Sequence, residues 1–112
     1  MAVPQIEELE LLHARICRAF GDTKRIQIMY ALHEEPRHVT ALAELLDTPQ
    51  PTISRHLAVL RDRGLVTTQR DGAAVVYALS DDRVIMVLNL MRQILRGLLE
   101  RQSDHLGVSE SR

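Results

Sequence analysis

The sequence predicts a mainly α-helical domain carrying one small β-hairpin, and three observations predict it. Apolar residues recur every three or four positions along most of the 112-residue chain, which is the helical period. Between Leu65 and Leu79 the pattern changes to Val, Thr and Tyr flanking Asp71-Gly72, the composition of two strands and a tight turn. A hydrophobic content of 46% supports one core in a chain of this length, so a single domain is expected over residues 1–112.

The first helix is expected from about Ile6 to Phe20, where Ile6, Leu9, Leu12, Ile16 and Phe20 repeat at helical spacing and Glu7, Glu8 and Glu10 suit the positive end of its dipole. Gly21 ends it. Asp22 or Thr23 can cap a second helix whose apolar face is Ile26, Met29, Tyr30 and Leu32, and this helix stops near His33, before Pro36. Thr40 begins a third, with Leu42, Leu45 and Leu46 as its core residues. Only half of a capping box is present, because Ala43 stands where Glu or Gln would be.

After a tight turn over Asp47–Gln50, Pro51 fits the first turn of a fourth helix, since it has no amide hydrogen to leave unpaired, and Thr48 or Gln50 can cap it. Ile53, Leu57 and Leu60 form its buried stripe. Arg61 and Arg63 sit at its C-terminal end, where the dipole favours cations, and Gly64 supplies the left-handed residue that stops it. The hairpin follows, and then Ser80, Asp81 and Asp82 cap a last helix running from about 81 to 102. That helix carries Val84, Val87, Leu88, Met91, Ile94, Leu95, Leu98 and Leu99, with Ile85 and Leu90 widening the stripe. One small core cannot cover all of these, so a second copy of the chain is expected to bury part of them.

The third and fourth helices with their turn make a helix-turn-helix, and the hairpin makes it winged. The outer face of the fourth helix carries Gln50, Thr52, Ser54, Arg55 and His56, side chains able to pair with base edges or phosphates in a major groove. Arg61, Arg63 and Arg70 add phosphate-binding charge, with Arg70 near the hairpin tip. The formal net charge of the whole chain is only −1. Locally, four arginines face the single Asp62 between Gln50 and Arg70, and this stretch is net +3. An aromatic content of 3% leaves too few rings to stack single-stranded nucleic acid, which makes duplex DNA the better partner. So small a basic patch binds weakly alone, and two copies are expected to act together.

Catalysis is not expected, because no motif joins the Ser, His and Asp residues. The single cysteine, Cys17, excludes an intramolecular disulfide. There is no apolar run of membrane-spanning length and no signal peptide, since acids occupy Glu7, Glu8 and Glu10, and a cytoplasmic protein without membrane contact is expected.

FGDTKRIQIMYAL (Phe20 to Leu32), QPTISRHLAVLRDRGLV (Gln50 to Val66) and RDGAAVVYALSD (Arg70 to Asp81) are similar to the second helix, recognition helix and wing of the ArsR/SmtB family of winged-helix repressors. The resemblance covers nearly the whole chain. It implies a homodimer paired through its first (about 6–20) and last (about 81–102) helices, bound to an imperfect palindrome in its own promoter and released by an inducer. The metal-binding residues of the family do not carry over. Where arsenic, cadmium and lead sensors have a cysteine pair, this chain has His38 and Thr40. Of the zinc positions on the last helix only Asp81 matches, with Arg83, Ile94 and Gly97 at the others.

His13 and Cys17 are four apart on the first helix, a spacing that can chelate a borderline metal such as Ni, Co or Zn, and Asp104 and His105 from a partner subunit could complete the set. The simpler reading is that Cys17 is a small core residue and His13 a surface or interface one, since free cysteines are usually buried and inert. The function expected is therefore that of a sequence-specific DNA-binding repressor, released by an unidentified inducer, with a divalent metal as one candidate. Two alternatives remain open at this level. One is a winged-helix protein-interaction module, and the other is a metal-independent repressor controlled by a partner protein.

Overall fold

The computed structural model describes residues 2–105, which fall into two compact units, one running to Asp82 and the other beginning at Arg83. The first unit opens with α1 (Ile6–Leu12), which does not continue as an α-helix. A π-helical turn over His13–Cys17 follows, in which the Arg18 amide reaches back five residues to His13 O at 3.0 Å, and a 3-10 turn over Ala19–Gly21 closes the segment. The single helix expected from Ile6 to Phe20 is thus broken at the middle. Nor is it a core helix in this chain, because Ile6, Leu11, Leu12 and Ile16 are all exposed.

Asp22 starts α2 (Thr23–Glu34), its Oδ1 accepting the amides of Lys24 at 2.8 Å and Arg25 at 3.3 Å. The buried face of α2 is Ile28, Met29, Ala31 and Leu32, while Ile26 and Tyr30, expected inside, are only half-buried. Next comes β1 (Arg37–His38), a strand too short to announce itself in the sequence. Arg37 anchors it by donating from Nε to Ala31 O at 3.0 Å and from Nη2 to Glu34 Oε1 at 2.7 Å.

Helix α3 (Val39–Leu45) buries Leu42 and leaves Leu45 exposed. It ends in a Schellman turn: the Thr48 amide donates to Ala43 O at 3.0 Å, the Asp47 amide to Glu44 O at 3.2 Å, and Asp47 is left-handed at φ 48°. Helix α4 (Gln50–Asp62) begins without a side-chain cap. Thr48, expected to cap it, instead donates its hydroxyl to Leu46 O at 2.8 Å, and Pro51 occupies the first turn as expected. Ile53, Leu57 and Leu60 of α4 are completely buried. A second Schellman turn ends it, with Gly64 at φ 82° and the Leu65 amide donating to Leu60 O at 2.9 Å.

Strands β2 (Val66–Asp71) and β3 (Ala74–Leu79) form the hairpin, paired from Val66 with Leu79 to Asp71 with Ala74. Gly72 and Ala73 form its two-residue loop; Gly72 has φ 66° and no positive φ occurs at Ala73, the pattern of a II′ turn. β1 pairs antiparallel with β3, which makes a three-stranded sheet in the order β1-β3-β2.

The second unit is α5 (Arg83–His105). Val84, Ile85 and Leu88 are buried. From there onward Leu90, Met91, Ile94, Leu95, Leu98 and Leu99 are exposed, along with Met86 and Val87. No helix among the described residues is long and apolar enough to cross a membrane.

Candidate nucleic-acid interface

Because Ile53, Leu57 and Leu60 face inward, the geometry of α4 turns Gln50, Ser54, Arg55 and Arg61 out to solvent. Thr52 is half-buried beside them, and Arg55 Nη2 lies 3.4 Å from its Oγ1, which holds the guanidinium along the helix. Arg70 is exposed on β2, two residues before Gly72. These six residues are therefore presented by a rigid helix and a paired strand, as base and phosphate contacts require.

Two of the expected contact residues are placed differently. His56 is turned inward, with 16% of its side chain exposed, so that Nδ1 faces Arg25 Nη1 at 3.5 Å and Nε2 faces Asp22 Oδ1 at 3.9 Å. Arginine can only donate, so Nδ1 is the acceptor and the proton sits on Nε2, toward the carboxylate. Burial, reinforced by the charges of Arg25, Arg55 and Lys24, holds the imidazole below its ordinary pKa of 6.5 in spite of Asp22. For Asp22, burial raises the pKa, but the Lys24 and Arg25 amides with the charges of His56 and Arg25 outweigh it and leave the carboxyl below 3.8. Arg63 also departs: its Nε is shut off from solvent, and the side chain lines a cavity that includes none of the six.

A residue absent from the sequence reading is Tyr77. It shares a shallow hollow with Ser54, Ala58, Arg61 and Asp62, between the outer edge of α4 and the sheet. Its register, opposite Arg37 on one side and Thr68 on the other, marks the central strand, but only the three-stranded sheet reveals that. At the wing, His38 lies 3.1 Å through Nδ1 from Val75 O and 3.5 Å through Nε2 from Asp71 Oδ2, which ties β1 to the end of the hairpin.

His13 and Cys17, the metal candidates, do come together. Both line an open cavity of about 550 Å³, yet its other polar side chains among the described residues are Arg18, Arg25 and Arg63, with no carboxylate. Three guanidiniums repel a divalent cation, so this donor set does not fit Ni, Co or Zn. The side chains of Asp104 and His105, the remaining candidate ligands, lie outside the described residues. Among the described residues no three His, Cys, Asp or Glu side chains converge.

A helix-turn-helix with a hairpin wing and a polar outer helix face defines a winged-helix DNA-binding module. Residues 22–68 match the family model of bacterial regulatory proteins of the arsR family. The chain is 37% identical, over 70% of its length, to the HTH-type transcriptional repressor SmtB of Mycobacterium tuberculosis. That match spans 60% of SmtB and, like the 62% for another mycobacterial relative, covers less than the whole of these proteins. The fold matches the crystal structure of NolR from Sinorhizobium fredii with a TM-score of 0.72 and 32% identity, covering 84% of this chain and 94% of that one. It also matches the homodimeric winged helix-turn-helix DNA-binding domain of Mb0332 from Mycobacterium bovis, with a TM-score of 0.73 and 28% identity over 90% of this chain and 95% of that one. The chain belongs to the ArsR family of DNA-binding transcriptional regulators, and so to a family of regulators, not of enzymes.

Proposed function

We propose that this regulator is a repressor that binds its operator as a homodimer and leaves it when an inducer arrives. The observation that carries the reading is the outward polar face of α4, Gln50, Thr52, Ser54, Arg55 and Arg61, backed by a completely buried apolar stripe and flanked by Arg70 on the wing. Gln50, Thr52, Ser54 and Arg55 read bases in the major groove, and Arg61 and Arg70 hold phosphates. His56, drawn inward by Asp22 and Arg25, supports the helix from behind, and Arg63, whose Nε is enclosed, is left out of the proposed contact set.

Dimerisation is supported by two apolar surfaces, Ile6, Leu11, Leu12 and Ile16 near the start and Leu90 to Leu99 on α5, whose exposure on one chain is costly in water. The homodimeric state of Mb0332 supports the same assembly. Repression is supported by the likeness to SmtB, since a dimer seated on a promoter excludes other proteins from it. The regulator acts where its operator is, in the cytoplasm.

The test is a gel shift with a fragment carrying the gene's own promoter, repeated over a range of salt concentrations. Selective retention over a scrambled fragment, with affinity falling linearly on logarithmic axes as salt rises, is expected. Equal binding to both fragments, or none, would overturn the reading and favour a winged-helix module for protein partners.

A further inference from the structure

The cavity that holds His13 and Cys17 has the wrong charge for a metal, and that charge points to its occupant. Its volume of about 550 Å³ is close to that of other hollows on the chain, so its lining, not its size, sets it apart. Of its three guanidiniums, Arg25 is occupied by backbone carbonyls, donating from Nε to Ala19 O at 2.9 Å and from Nη2 to Arg18 O at 3.0 Å. Arg18 and Arg63 have no carboxylate partner among the described residues. Arg63 Nε is, moreover, a buried donor of a charged group without an acceptor among the described residues, a condition folded proteins rarely leave unanswered by a ligand, ion or water.

From this geometry we infer that the cavity is an effector site for a small anion with two or more acceptor oxygens, such as an inorganic oxyanion or the phosphate group of a metabolite. Guanidinium forks match such oxygens two at a time. An anion bound against this lining meets the guanidiniums of both Arg18 and Arg63, and a shift of the Arg63 side chain toward it would give the enclosed Nε an acceptor. Its position makes it a control point, because Arg63 is the C-cap residue of α4 while Arg18 follows the π turn, and π turns recur at functional sites. Binding there links the end of the recognition helix to the segment after α1. The proposal deepens the regulator reading and rests on it for the word effector, but the site itself is testable without DNA.

Cys17 is the only cysteine of the chain and is exposed in this cavity, so its alkylation, followed by intact mass, reports on the cavity alone. The full chain is treated with iodoacetate, an anion, and with neutral iodoacetamide at fixed ionic strength in chloride. The expected result is a preference for iodoacetate several-fold higher than in Arg18→Gln and Arg63→Gln, together with saturable protection by inorganic phosphate or by glycerol phosphate. Tighter protection by inorganic phosphate identifies a free oxyanion as the ligand class, and tighter protection by glycerol phosphate identifies a phosphate ester. Arg18 is exposed, so its variant remains informative even if Arg63→Gln loosens the fold. An unreactive Cys17, absence of charge preference, protection no better than chloride, or protection unchanged in both variants would each overturn the site. A failed gel shift beside intact protection would overturn the regulator reading and leave the anion site standing.

Discussion

His56 Nε2, on the recognition helix, lies 3.9 Å from Asp22 Oδ1, the oxygen that also accepts the Lys24 amide at 2.8 Å and so starts α2. One carboxylate thus joins the start of α2 to the back of α4. Burial is the main reason that His56 binds its proton less readily in the folded chain, so the folded state holds fewer protons than the unfolded one as pH falls below 6.5. Stability is then complete above that value and declines toward the lowered folded pKa. Asp22, also lowered, stabilises above 3.8 and loses its contribution only on further acidification. Melting temperatures measured from about pH 7.5 to about pH 5 should fall in the wild type and fall less in His56→Gln, which has no proton to gain. An equal decline in both would remove His56 as the cause.

Arg55→Ala should cost about 1–3 kcal/mol of operator binding and relax selectivity at one base pair, as expected of a bidentate base contact. A library of operator variants assayed by gel shift checks it. Uniform weakening on all sequences would make Arg55 a phosphate clamp instead.

Arg70→Ala should weaken binding to every sequence and make the slope of log affinity against log salt shallower by about one. A slope equal to that of the wild type would take the wing out of the DNA contact.

Leu95 is 53% exposed on α5, and Leu95→Glu should convert the dimer to a monomer, because an unpaired charge buried in an apolar interface costs several kcal/mol. Sedimentation at micromolar concentration is the measurement. A wild-type chain that sediments as a monomer would remove the interface from the model.

Asp47 is the one residue other than glycine with positive φ among those described, and it forms the turn between α3 and α4. Asp47→Gly should be close to neutral in denaturant unfolding, while Asp47→Val should lose about 1–2 kcal/mol, since a branched side chain in the left-handed region meets its own carbonyl. Equal stability of the two variants would show that the turn relaxes to another conformation.

How far the sequence could be read depended on how local each cause was. The buried stripe of α4 was legible because Ile53, Leu57 and Leu60 repeat at 3.6-residue spacing and Pro51 and Gly64 bracket them. The hairpin was legible because Asp71-Gly72 is a turn signal by itself. What escaped had distant partners. His56 belongs to the outer face by spacing, and only Arg25 and Asp22, more than thirty positions away, draw it inward. Arg63, just past the end of α4, sits by spacing where a phosphate contact is expected, while its side chain lines the cavity with Cys17. The two residues of β1 carry no period at all, and their pairing with Val76 and Tyr77 exists only in the folded sheet. The surplus of apolar residues on α5 was visible in composition, and their exposure in one chain is its structural counterpart.

The π turn at His13–Cys17 holds one more residue than an α-helical ladder of the same height would. Successive residues of an α-helix are separated by roughly 100° about the axis, so removing one residue from this turn would let the ladder close and rotate all of α1 by about that angle. Leu9 and Leu12 would then aim elsewhere while α2, α3 and α4 stayed in place. The segment therefore acts as an angular index. A single-residue insertion or deletion there re-aims the N-terminal face while the internal geometry of α4 stays as it is, so whatever surface α1 offers to a second copy of the chain turns with it.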